Sequence, residues 1–169
     1  VEMSVVELKA RELTEEEFSG YGKIMDCDFV SDCYEEGDFK FYYDLVEVDF
    51  KDPVAISMVN SKLQDDLYGN SLETHFKSPE VLIPLDGTIY VVLTKTDPND
   101  NTRPDLSTAK AFVVKPGQGI MLYSGTWHRA PLSKDVSVKT CCLVRKGTPD
   151  DNITYYLERD YGFKYKVVV

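Results

Sequence analysis

Short apolar blocks recur along this chain, and Gly, Pro and Asp turn formers separate them at intervals too close for long helices. Blocks of that length, rich in branched and aromatic residues, read as β-strands. The pattern predicts strands over 5–10, 39–49, 54–59, 81–85, 88–93, 109–115, 118–123, 136–144, 153–157 and 161–169. One short helix is expected after Thr14, which stands three residues before Glu17 in a capping-box arrangement with Phe18 just beyond. Gly20 and Gly22 end that helix. Residues 27–37 are acidic and irregular, and 97–101 are polar, so both are expected as loops. Asp86-Gly87 between two apolar runs predicts a tight hairpin with positive φ at both central residues. Many short strands with such turns predict an all-β fold with minor helix, a sandwich or barrel, in one domain over residues 1–169.

The 169 residues are enough to bury roughly 70% of the unfolded surface. A net charge of −10 argues against a nucleic-acid backbone or an anionic membrane as partner, and leaves room for a local basic pocket. No apolar run approaches the ~20 residues that span a bilayer. The opening, Val1-Glu-Met-Ser-Val-Val, lacks the blocks of a signal peptide, so a cytoplasmic location is expected. Cys27, Cys33, Cys141 and Cys142 form no CxxC pair, and neighbours on a strand face opposite ways. Reduced thiols, not a structural zinc site, are the expectation.

The chemistry gathers around two histidines. Residues 71–77 read Ser-Leu-Glu-Thr-His-Phe-Lys, and residues 119–128 end in Trp127-His128. If 71–77 is a strand, Glu73, His75 and Lys77 project together, away from Thr74 and Phe76. Glu73 and Lys77 on one face also invite the plainer reading that they pair with each other. Trp127 would face opposite His128, which suits packing, and Asp105 and Ser107 suit a turn cap after Pro104.

Gly69, His75, Glu80 and Gly87 occur at intervals of six, five and seven, and Pro116-Gly117 leads towards Trp127-His128 with Pro131 beyond. This order resembles the two motifs of the cupins, jelly-roll β-barrels in which such motifs face each other. The position two residues after His75, a second histidine in many cupins, is Lys77.

A narrower resemblance covers about half the chain. Glu73-Thr-His75, Ile83-Pro-Leu-Asp-Gly87, Pro104-Asp-Leu-Ser-Thr108, Gln118-Gly-Ile120 and Trp127-His128 are similar, in that order, to segments of the ureidoglycolate lyases, and Tyr21-Gly22 fits their opening. The chain departs from the family where it has Thr74 for an Arg, Glu80 for a Gln, and Leu122-Tyr123 for a Tyr-His pair. A late family Arg falls on Lys146, with Arg145 beside it.

The resemblance implies a lyase that splits ureidoglycolate into glyoxylate and urea during allantoin breakdown. It implies a divalent metal on His75, Glu80 and His128, with nickel suggested by the family. The donor set also accepts zinc, manganese or iron. Glu73, Lys77 and His128 are the expected catalytic residues, with Glu73 as base and Lys77 as acid or carboxylate holder. Tyr123 and Lys146 are the expected substrate contacts. Two alternatives stand beside this: another metal-dependent cupin enzyme, an oxygenase or isomerase, and a non-catalytic small-ligand-binding cupin. A homodimer is expected, with residues 167–169 as an edge strand for pairing.

Overall fold

The computed structural model describes residues 3–169. Residues 1 and 2, which open the expected domain and the stretch read for a leader, lie outside them. The elements run β1 (Ser4–Arg11), α1 (Glu15–Phe18), β2 (Gly22–Met25), β3 (Tyr34–Glu36), β4 (Phe39–Phe41), β5 (Val54–Ser61), β6 (Leu63–Gln64), β7 (Leu67–Gly69), β8 (Ser71–Thr74), β9 (Glu80–Pro84), β10 (Ile89–Asp97), β11 (Asp100–Val114), β12 (Gly119–Leu122), β13 (Ser133–Lys134), β14 (Val138–Arg145), β15 (Ile153–Tyr156), α2 (Leu157–Tyr161) and β16 (Phe163–Val168). One five-stranded sheet is ordered β10-β11-β1-β16-β7 and the other β2-β12-β9-β14-β5. The fold is all-β with two short helices, built on these two five-stranded sheets.

The capping box forms on one side only. Thr14 Oγ1 accepts from the Glu17 amide at 3.3 Å. The Glu17 carboxylate instead takes Arg11 and Lys110, each at 2.9 Å. Phe18 is fully buried against Phe112. Gly22 has a steric reason: a Cβ there would meet the Met121 carbonyl oxygen at 1.7 Å, where β2 lies against β12.

Two apolar clusters build the interior. Leu82, Ile89, Val91, Leu93, Phe112, Ile120, Leu122 and Val138 fill the space between the sheets. Val92, Ala111, Trp127, Tyr155, Leu157 and Tyr165 pack as a second cluster. Neighbours such as Leu93 and Val92, or Phe112 and Ala111, divide between the two clusters, so β10 and β11 are buried on both faces. That double burial explains their unbroken apolar runs.

Several expectations are corrected. Asp86-Gly87 makes no hairpin, because β9 pairs with β12 and β14, whereas β10 pairs with β11. Neither residue has positive φ. The Asp86 carboxylate accepts from the Lys139 amide at 2.7 Å, so this segment is fastened to β14 as the chain crosses between sheets. Residues 39–49 hold a strand only over Phe39–Phe41, and Asp44 turns the backbone at φ 54°. The expected loop at 97–101 is the tight end of the β10–β11 hairpin, and α2 interrupts the strands expected at 153–157 and 161–169. Residues 167–169 do not form an edge strand, since β16 is flanked by β1 and β7. β5 is a free edge of the second sheet and carries exposed apolar side chains, Ile56 being 77% exposed.

Candidate metal centre

The strand expected over 71–77 stops at Thr74. There the chain pairs sideways with the segment leading to His128. Glu73 and His128 exchange both backbone hydrogen bonds, at 2.6 and 2.8 Å. Thr74 Oγ1 donates to the Thr126 carbonyl, and the Gly125 amide donates to the His75 carbonyl. This antiparallel contact between segments 52 residues apart sets the two imidazoles edge to face, with centroids 5.2 Å apart. Gly125 allows it with φ 87°, a backbone shape that disfavours any side chain.

Both rings are buried, and both are aimed by main-chain oxygens. His75 Nδ1 lies 2.7 Å from the Ser78 carbonyl, and His128 Nδ1 lies 2.9 Å from the Thr126 carbonyl. A carbonyl only accepts, so each Nδ1 carries a proton and each Nε2 is turned inward. Glu80, on β9, completes the group: Oε2 is 2.9 Å from His128 Nε2, and Oε1 is 3.8 Å from His75 Nε2. The longer distance is not a hydrogen bond, and His75 Nε2 has no other partner among the described residues. One donor atom from each residue lies within 4.8 Å of the others.

Two preset imidazole nitrogens, one of them orphaned, and a mostly buried carboxylate fit a divalent ion at ligand distances of about 2.0–2.2 Å. Asp26, Cys27 and Asp28 also cluster, but Asp26 spends its oxygens on the Asp28 amide and Gln118.

Electrostatics hold these three side chains together. Burial alone would lower the His128 pKa, but the facing Glu80 carboxylate raises it to about 9, with smaller help from Thr126 and Glu73. Burial would raise Glu80, yet the His128 charge and hydrogen bond hold it well below the carboxylate range. A raised imidazole pKa contributes stability that is complete below the unfolded value of 6.5 and is lost as pH climbs through about 9. A lowered carboxylate contributes above 4.5 and is lost on acidification. With chelator present, the melting temperature is therefore expected to peak between pH 4.5 and 6.5 and to fall towards pH 9. A calorimetric scan flat across pH 6.5–9 would show that His128 is neutral in the folded state.

The other expected residues are spread around this group. Glu73 is half-buried, and its carboxylate accepts from Asn152 Nδ2 at 2.9 Å. No ion pair joins it to Lys77 among the described residues. Because the strand ends at Thr74, Lys77 does not share a face with Glu73 and His75. It is exposed, and its amide donates to Asp151 Oδ2. Its side chain lines a hollow of about 450 Å³ together with Lys51, Arg145, Phe76, Pro79, Ser124, Asp49 and Asp52. This hollow borders the 76–79 segment that links His75 to Glu80. Lys146 is exposed, its amide donating to the Pro53 carbonyl and its own carbonyl accepting from Arg145 Nη1, and Arg145 lines the hollow. Tyr123 is 40% exposed and lines two neighbouring hollows of about 320 and 290 Å³. Trp127 is fully buried, its Nε1 donating to Thr96 Oγ1 at 3.0 Å. Asp105 Oδ1 accepts from both the amide and the hydroxyl of Ser107, within the bulged part of β11.

Two residues near the site were not among the expected site residues. Cys142 reaches Glu80 from β14, with Sγ 3.4 Å from Oε1. Arg145 was visible only as the neighbour of Lys146.

The sequence model described as ureidoglycolate lyase matches residues 5–161. The chain is 30% identical over 152 residues to the ureidoglycolate lyase of Escherichia coli O1:K1 / APEC, covering 86% of this chain and 91% of that protein. The ureidoglycolate lyase of Shigella boydii serotype 18 matches at the same identity and coverage. Among solved structures, a 3,4-ketoisomerase from Helicobacter canadensis overlays 78% of this chain and 88% of its own, with 16% identity and a TM-score of 0.49. No described helix is long and apolar enough to cross a membrane. By its sequence match over nearly its whole length, this chain belongs to the ureidoglycolate lyase family of enzymes.

Proposed function

We propose that the chain cleaves ureidoglycolate, or a closely related small 2-hydroxy or ureido carboxylate, to glyoxylate and urea in the catabolism of purine nitrogen. The observation that carries this reading is the buried His75–Glu80–His128 group with its orphaned Nε2. A divalent ion held there, nickel being the first choice and zinc, manganese or iron(II) the others, would polarise the substrate hydroxyl.

The chain's own groups supply the rest. Glu73 takes the hydroxyl proton, and that oxygen becomes the aldehyde carbonyl of glyoxylate. The C–N bonding pair leaves with the ureido nitrogen, which accepts a proton from Lys77 and departs as urea. Proton transfers of this kind contribute about 10²–10⁴ in rate. His75 and His128 would hold the ion beside Glu73, and Tyr123 borders the approach. The substrate carboxylate is assigned to the hollow lined by Lys51, Lys77 and Arg145, with Lys146 at the outer rim. The homodimer is assigned to β5, an edge strand whose eight residues carry no charge.

The decisive assay is urea and glyoxylate release by purified protein supplied with each divalent ion. Absence of urea with every ion would end the substrate assignment. A charge-assisted carboxylate contact contributes about 1.5–3 kcal/mol. Arg145→Ala is accordingly expected to raise KM roughly 10–100-fold with little change in kcat. An unchanged KM would place the carboxylate elsewhere. Two histidines and one carboxylate also suit iron(II) and dioxygen, so oxygen uptake with iron and no urea release would favour an oxygenase.

A further inference from the structure

Cys142 is buried at 6% exposure on β14, next to the ligand-bearing strand β9. In their register Cys142 opposes Leu82, so Cys142, Leu82 and Glu80 share the inward face. The Cys142 thiol lies 3.4 Å from Glu80 Oε1, within hydrogen-bond reach for sulfur, while Oε2 is taken by His128 Nε2. The two contacts fix the rotation of the carboxylate. Without the thiol, Oε1 would retain only the 3.8 Å approach of His75 Nε2.

We propose that Cys142 is a positioning residue: its S–H donates to Glu80 Oε1 and presents the carboxylate to the ion without ligating it. The inference rests on reading His75, Glu80 and His128 as ion ligands. One feature of the site supports it: Cys142 is not part of the group of donor atoms within 4.8 Å of one another. A weak donor also leaves most of the charge on the carboxylate, where an ion needs it. Cys141, opposite Met58 of the edge strand β5, faces the other way and provides the internal control.

The test is titration of the full-length, metal-stripped protein with cobalt(II), read by absorption and by competition with a chelating indicator. Cys142→Ala is expected to weaken cobalt binding roughly 10–100-fold, the usual effect of losing a group that orients a ligand. Cys142→Ser, which restores a donor, is expected to recover most of that loss, and Cys141→Ala to change nothing. Should Cys142→Ala fold poorly, Cys142→Val fills the space without a donor and reads the same comparison. Wild-type spectra should show only ligand-field bands. A thiolate-to-cobalt charge-transfer band that vanishes in Cys142→Ser would overturn the proposal by making Cys142 a ligand. Unchanged affinity in the alanine and valine variants would overturn it while leaving the metal reading intact. Wild-type protein that takes up no cobalt would overturn both.

Discussion

Replacing His128 by alanine is expected to abolish ion uptake and to cut urea release by about 10³-fold or more, since loss of a polarising ion removes several kcal/mol of transition-state stabilisation. The same change strands Glu80. Its side chain is 13% exposed, and its one short hydrogen bond from an imidazole is to His128. Removing one partner of a buried ion pair costs about 3–5 kcal/mol. His128→Ala alone therefore conflates lost chemistry with lost stability. Adding Glu80→Gln neutralises the stranded charge, and the double variant is expected to regain most of the lost stability while remaining inactive. Equilibrium denaturation, metal content and the urea assay separate the two effects. Wild-type turnover by His128→Ala would remove the imidazole from the mechanism.

Trp127→Ala is expected to destabilise the protein by about 3–5 kcal/mol, the range for truncating a fully buried aromatic. The indole is 0% exposed, packs edge-on to Tyr155 at 6.3 Å and donates to Thr96 Oγ1. The backbone bridge from Trp127 to Thr94 survives the substitution, so the cost is packing and one side-chain hydrogen bond. For a chain of this size the melting temperature should drop roughly 6–20 °C. Trp127→Phe should lose less, because it keeps an aromatic ring in the cluster and gives up the N–H and part of the ring volume. A drop under 2 °C in Trp127→Ala would mean that the second apolar cluster closes around the gap.

Much of the site was legible in the sequence because its residues occur at motif spacing. His75, Glu80 and His128 stand at a spacing that resembles two facing cupin motifs, and the fold brings their donor atoms within 4.8 Å of one another. Strand identity was legible from composition, but strand pairing was not. Asp86-Gly87 announces a turn, and nothing local says that the strands on either side belong to different sheets. Nor did the triple valine at the C-terminus reveal that β1 and β7 flank it. The reading of Glu73, His75 and Lys77 as one face failed because it assumed that the strand continued, whereas the 76–79 loop ends the alternation after Thr74. The resemblance pointed to Lys146, whereas the side chain lining the hollow beside Lys77 is that of its neighbour Arg145, the last residue of β14. Cys142 was silent for a different reason. A thiol in an apolar strand has the pattern of core, and only its distance to Glu80 sets it apart.

The oxygens that aim the two imidazoles, those of Ser78 and Thr126, belong to the main chain. Exchanging the side chains at these positions leaves both acceptors in place, so point substitution there cannot swap the nitrogen each ring offers. The orientation is inherited from the path of the 75–78 and 126–128 segments. A one-residue insertion in either segment would swing a ring away and silence the centre with every ligand residue still present. Relatives that have lost ion chemistry can therefore be sought by loop length as well as by ligand identity.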